Sequence, residues 1–168
     1  MRKSEQVRKT SETDIKLSIN LDGEGKSDIK TGNGFFDHML TGFAKHGFFD
    51  LFVRVNGDLQ VDAHHTVEDT GIVLGNAIKA AAGDKKGIAR FGYFILPMDD
   101  ALVLVSIDFS GRPYLNFECD LPTERCGYFE NELVKEFFYA VSYSAGMNLH
   151  VKQMYGSNNH HSALLHWR

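Results

Sequence analysis

Apolar and polar residues alternate from Ile15 to Leu21, with Ile15, Leu17, Ile19 and Leu21 on one side and Lys16, Ser18 and Asn20 on the other. A period of two predicts a strand with one buried face, closed here by Asp22-Gly23. Val103, Val105, Ile107 and Phe109 repeat the pattern, closed by Ser110-Gly111, and the two stretches superpose at a constant offset of 88. A fixed offset signals internal repetition. From Gly34 to His46 the period changes: Phe36, Leu40 and Phe43 share one helical stripe, and Gly47 stands where a helix stops. Asn131 to Ala145 matches it, with Leu133, Phe137, Ala140, Val141 and Ser144 at helical spacing before Gly146. Each helix is followed by an extended segment, Leu51 to Val55 and Leu149 to Gln153, then a turn at Asn56-Gly57 or Tyr155-Gly156. A further helix, running to Ala82, is marked by Val67, Gly71, Leu74, Ile78 and Ala81.

The chain therefore holds two copies of strand, turn, helix, strand, each leading to a pair of adjacent histidines. The glycine-bounded charged loop Gly83-Asp84-Lys85-Lys86-Gly87 joins the first copy to a strand around Arg90 to Leu96. The expected fold class is α+β: two similar halves, residues 1–86 and 87–168, each a small β-sheet with helices packed on one face. Each half is too small to stand alone, so the two form one domain. Composition agrees, since 168 residues with 43% apolar and 12% aromatic content fill a sizeable core. A formal charge of −4 offers no basic stripe for nucleic acid. No run of roughly 18 apolar residues spans a membrane, and no apolar run follows the basic residues before Thr10 as a signal peptide requires, so the expected location is cytoplasmic. Cys119 and Cys126 lack a second pair for a zinc site and are read as reduced residues without a function.

His64 and His65 open the third helix. Glu68 lies three residues after one and four after the other, so its carboxylate shares a face with either imidazole. Imidazole with carboxylate suits manganese, iron or zinc, and no thiolate argues for a softer ion. The competing explanation is that the histidines satisfy hydrogen bonds at a helix start, with Glu68 and Asp69 favoured by the helix dipole. Repetition shifts the balance, because Asn159-His160-His161 brings the pair back. His38 points away from the apolar stripe of its helix, as does His46 eight residues on, which makes His38 a candidate ligand. Counting back from His160 reaches Glu136, another potential ligand.

Taken in order, Glu12-Thr13, Phe36-Asp37-His38-Met39-Leu40, His64-His65-Thr66-Val67-Glu68-Asp69, Arg90-Phe91-Gly92, Pro97-Met98-Asp99, Ser110-Gly111-Arg112-Pro113-Tyr114 and Asn159-His160-His161 resemble imidazoleglycerol-phosphate dehydratase, the lyase of histidine biosynthesis, over nearly the whole chain. The resemblance implies a two-manganese site at the interfaces of an assembly of 24 identical subunits. Its metal ligands would be His38, His64, His65 and Glu68 from the first copy, with Glu136, His160 and His161 from the second. Glu136 stands where some relatives have histidine. His38 and His64 would also face the substrate. The implied chemistry removes a proton from a carbon on an imidazole ring held as a metal-bound anion, while the neighbouring hydroxyl leaves as water. A carboxylate must move the protons. Glu12 is the candidate, with Asp100 at its counterpart 88 residues on, and His46 is a substrate-side group. Arg90 and Arg112 would clamp the phosphate, since a guanidinium meets it with two parallel hydrogen bonds; otherwise they would be surface ion pairs. Lys152 is a weaker third contact.

One departure stands out. The family's remaining ligand is a glutamate three residues after the second histidine pair, where this sequence has Leu164, and no carboxylate follows His161. His166, five residues on, has the wrong spacing to replace it. By internal symmetry a second closing helix would follow His161, but only seven residues do, so this helix and the family's tail beyond it are expected to be lacking. Two readings follow: a manganese-dependent lyase acting on a phosphorylated imidazole, or a catalytically impaired metal-binding subunit of the same fold. A zinc regulator is disfavoured by Glu12, Arg90 and Arg112 accompanying the ligands.

Overall fold

The computed structural model describes residues 2–121 and 123–156. It confirms an α+β molecule of two like halves. In the first, β1 (Lys3–Lys9), β2 (Thr13–Asn20), β3 (Ser27–Lys30) and β4 (Asp50–Gly57) form one sheet in the order β1-β2-β4-β3, accompanied by α1 (Gly34–Gly47) and α2 (His64–Ala82). In the second, β5 (Phe91–Met98), β6 (Ala101–Asp108), β7 (Tyr114–Glu118) and β10 (Asn148–Tyr155) form a sheet in the order β5-β6-β10-β7, with α3 (Glu132–Ala145) against it. A short hairpin, β8 (Arg125–Cys126) and β9 (Phe129–Glu130), lies between β7 and α3.

The repeat extends to the hydrogen-bond register. Lys3 faces Asn20 and Val7 faces Lys16 in the first sheet; raised by 88, these become the Phe91–Asp108 and Ile95–Leu104 pairs of the second. The parallel pair Ser27–Leu51 recurs as Leu115–Leu149, the second residue now raised by 98. The step of ten arises between β7 and α3, which are separated by ten more residues than β3 and α1, and the added chain makes the β8–β9 hairpin. His38 and Glu136 differ by this same 98, and each is the fifth residue of its helix.

Alternation places Ile15, Leu17 and Ile19 of β2, Leu51 and Val53 of β4, Val103 of β6, and Leu149 and Val151 of β10 in the core. Helix α2 crosses the inner face of the first sheet and packs along α3, so it is buried on more than the one stripe its periodicity marks. Gly71 and Gly75 permit this approach: a Cβ at Gly75 would stand 2.6 Å from the Val141 carbonyl oxygen. The hairpin closes the same core from the side, with the ring of Phe129 wholly buried 5.2 Å from that of Phe35 and 6.1 Å from that of Phe36.

Several elements differ from their sequence expectation. β1 occupies a charged stretch to which the sequence assigns no element; as an edge strand it turns only Ser4, Gln6 and Arg8 partly inward and needs no apolar alternation. β3 and β7 are short strands held parallel to β4 and β10, and their partners lie beyond a helix. The strand expected over residues 90–96 runs instead from Phe91 to Met98, and the helix expected from Asn131 starts at Glu132. Both cysteines are free, Cys119 in the loop after β7 and Cys126 in β8. His160, His161, Leu164 and His166, and with them the expected lack of a second closing helix, lie outside the described residues.

Candidate active site

Strand pairing assembles the first cluster. Thr13, at the start of β2, faces Gly57, at the end of β4, so Glu12 and Asp58 are brought side by side where the chain enters α2. They line one cleft of about 370 Å³ with Lys9, Ser11 and Gln60. Asp62 then caps the helix from just outside it, its Oδ1 accepting the His64 amide N–H at 2.8 Å.

Each histidine has a carboxylate partner. His64 Nε2 lies 3.7 Å from Glu68 Oε2, the one-turn spacing on which the sequence argument relies. His65 Nδ1 lies 2.9 Å from Asp58 Oδ2. An ionised carboxylate only accepts, so Nδ1 carries the proton and, in the neutral ring, Nε2 keeps its lone pair. That backing is the one by which carboxylates orient metal-binding histidines. The Asp58 hydrogen bond, joined by the negative charges of Asp58, Glu12 and Asp62, raises the His65 pKa against the effect of desolvation. Glu12 moves the other way. The Ser11 hydroxyl, then that of Thr10 and the Glu12 backbone, hold its carboxyl below the ordinary range, with a smaller contribution from His65. The structure thus brings Glu12 within electrostatic reach of His65, which linear spacing does not show.

His38 and His46 are exposed on α1, opposite the buried Phe36, Met39, Leu40 and Ala44. Glu136 is half-buried on α3 in a cleft of about 740 Å³ with Arg125, Glu132 and Lys135. Among the described residues no three His, Cys, Asp or Glu side chains are placed round one point for a metal ion. His64, His65 and Glu68 nonetheless lie together at the start of α2. Their chemistry fits a divalent ion of intermediate hardness: two imidazoles, one oriented by Asp58, beside Glu68.

The second cluster lies at one end of the β5–β6 pair. Arg90 donates to both oxygens of Asp108, Nε to Oδ1 at 2.7 Å and Nη2 to Oδ2 at 3.1 Å. Asp108 is held below the ordinary carboxylate range first by Arg90 and also by the charge of Arg112, so both arginines act on one carboxylate. The Arg112 carbonyl accepts a short hydrogen bond from Asn148 Nδ2, which fixes its loop to β10. A third cation arrives from the inter-half loop: Lys85 Nζ donates to the Phe109 carbonyl at 3.0 Å and stands 5.1 Å from the centre of the Phe109 ring. Lys152, the weaker candidate, pairs instead with Glu118 at 2.9 Å across β10 and β7. Asp100 sits in the exposed turn between β5 and β6, at the opposite end of that pair from Arg90. Asp58, Lys85 and Asp108 carry no sequence motif. Asp58 follows the Asn56-Gly57 turn and Lys85 lies in a charged loop, and only the fold gives each its partner.

The chain is similar to known proteins over most of its length. The family model of imidazoleglycerol-phosphate dehydratase matches residues 31–165. The chain is 68% identical to the imidazoleglycerol-phosphate dehydratase of Lachnoclostridium phytofermentans over 92% of its own length and 79% of the relative's. It is 65% identical to that of Acetivibrio thermocellus, over 95% and 82%. Its structure superposes on the crystal structure of imidazoleglycerol-phosphate dehydratase from Staphylococcus aureus with a TM-score of 0.89 at 38% identity, covering 98% of this chain and 91% of that one. For the Pyrococcus furiosus structure the TM-score is 0.83 at 38% identity, covering 96% and 86%.

Proposed function

The chain belongs to the imidazoleglycerol-phosphate dehydratase family, and on that premise we propose that it is a cytoplasmic hydro-lyase of histidine biosynthesis. It takes D-erythro-imidazoleglycerol phosphate to imidazoleacetol phosphate and water. The observation that carries the reading is the cluster at the start of α2, where Glu12, Asp58, His64, His65 and Glu68 meet through the β2–β4 pairing.

His64, His65 and Glu68 would hold manganese, with His38, Glu136, His160 and His161 completing a two-ion set. When bound, the ions supply Lewis acidity to the imidazole ring and a template for it. The chain's own residues do the rest. Asp58 keeps Nδ1 of His65 protonated and its Nε2 directed to a ligand. Glu12, held ionised first by the Ser11 hydroxyl, is poised to take a proton from the carbon attached to the ring. His46 lies on the substrate side. Arg90 and Arg112 receive the phosphate, and a phosphate between them replaces Asp108 as the acceptor of two parallel donors.

Because the described residues do not gather three metal ligands within one chain, the reading includes self-association, with the site completed between copies in an assembly of 24. Nucleic acid and membrane are not partners in this scheme. The test is turnover of imidazoleglycerol phosphate by the purified chain in excess manganese. The expected result is a rate on the order of 1–100 per second, abolished by chelation and restored by manganese. A folded, manganese-loaded chain without turnover would overturn it.

A further inference from the structure

Asp69 follows Glu68 but faces another way. Its side chain is buried beneath the β1–β2 hairpin, one helical turn beyond His65. Oδ1 accepts from Arg8 Nε at 3.0 Å and lies 2.9 Å from Arg8 Nη2, and Oδ2 accepts from the Thr13 hydroxyl at 2.5 Å. A carboxylate cannot donate, so it commits the single hydroxyl proton of Thr13. In the 3.2 Å contact between the Thr10 and Thr13 hydroxyls, Thr10 must then be the donor. Its lone pairs are left to the amides of Glu12 at 3.1 Å and Thr13 at 3.0 Å, both of which it accepts. The series thus ends on the Glu12 backbone, while Ser11 donates separately to Glu12 Oε1 at 2.8 Å. One buried charge therefore commits the Thr13 and Thr10 hydroxyl protons and leaves the Thr10 oxygen free to accept the Glu12 amide.

The duplicated half shows that this network is not needed to make the hairpin. The β5–β6 hairpin keeps the same register with one further pair next to its turn, and its positions equivalent to Arg8, Thr10 and Thr13 are Leu96, Met98 and Ala101. There a turn with Asp99 in the left-handed region closes over an apolar core, with Ala101 1% exposed.

We infer that Asp69 is a positioning residue, which acts through Thr13 and Thr10 to hold the Glu12 carboxylate at a set place beside the α2 histidines. This rests on the reading of Glu12 as the proton-moving group. Thr13→Val keeps the side chain's shape and cuts the series at its first link; Thr13→Ser keeps the hydroxyl. Asp69→Asn can donate to Thr13 and so reverses the series.

The experiment compares these variants in the manganese-loaded, full-length chain. Thr13→Val and Asp69→Asn are expected to lower kcat by about tenfold or more with KM within about twofold, and Thr13→Ser to restore kcat to within about threefold. Bound manganese per chain should be unchanged. Added to Glu12→Gln, Thr13→Val should produce no further loss, since both act on one group. Amide exchange at Glu12 supplies a readout independent of turnover: faster in Thr13→Val and Asp69→Asn, unaltered in Thr13→Ser. A Thr13→Val protein with unchanged kcat and exchange overturns the inference, as does an undiminished loss in the Glu12→Gln background. If the unsubstituted chain shows no turnover, the dehydratase reading fails, and Glu12 exchange still decides whether Asp69 and Thr13 place it.

Discussion

Cys119 lies just beyond β7, and burial pushes its thiol up to about 12, opposed by a backbone hydrogen bond from Gln153. At pH 8 its thiolate fraction is on the order of one in ten thousand, so alkylation by iodoacetamide should be at least about a hundredfold slower in the folded chain than in urea. Equal rates would show the site open. The sign of its pH dependence follows from linkage. The unfolded thiol ionises from about 9.0 and the folded one only near 12, so its contribution to stability is complete below pH 9 and is lost as pH rises between those values. Burial also raises Cys126, where Asn131 opposes the shift. His64, His65 and Glu68 were legible in sequence because a helix converts a spacing of four into proximity. Asp58 and Asp108 were not, because each acquires its partner through the way β4 meets α2 or β5 pairs with β6.

Among the elements, α2 shows how far periodicity reaches. Val67, Gly71, Leu74, Ile78 and Ala81 mark its buried stripe, but nothing in a period distinguishes a glycine that fills a stripe from one that admits a neighbouring backbone. Gly75 is of the second kind: a Cβ there would lie 2.6 Å from the Val141 oxygen and 2.7 Å from the Ser144 Cβ. Two effects oppose each other in Gly75→Ala. Alanine favours helix by about 1 kcal/mol, while overpacking against a rigid backbone costs about 1–3 kcal/mol. The contact is with backbone, so the variant should be destabilised, seen as a lower urea midpoint at unchanged slope. A neutral or stabilised Gly75→Ala would mean that α2 and α3 separate without cost. The strands β1 and β3 escaped the sequence for a related reason: an edge strand needs a partner more than a pattern.

For the whole molecule, the two halves are joined by more than their shared helix contact. The β8–β9 insertion of the second half delivers Phe129 to Phe35 and Phe36 on α1 of the first, where it is wholly buried. Phe129→Ala should cost about 3–5 kcal/mol, much of a small domain's stability, and lower the midpoint of one cooperative transition. A shift confined to a separate, minor transition would show that the hairpin packs independently of the halves. No helix among the described residues is long and apolar enough to cross a membrane.

Local order along the chain was enough to determine the strands over residues 15–21 and 103–109, the three helices, the duplication and the family motifs, because a period, a cap or a constant offset is a relation between near neighbours or between copies. Tertiary structure alone decided that Asp58 orients His65, that Asp69 reaches Thr13 across 56 residues of sequence, and that Arg90 and Arg112 both act on Asp108. The physical reason is range: hydrogen bonds and ion pairs act over a few ångströms of space, and which side chains come that close is set by strand register and helix packing.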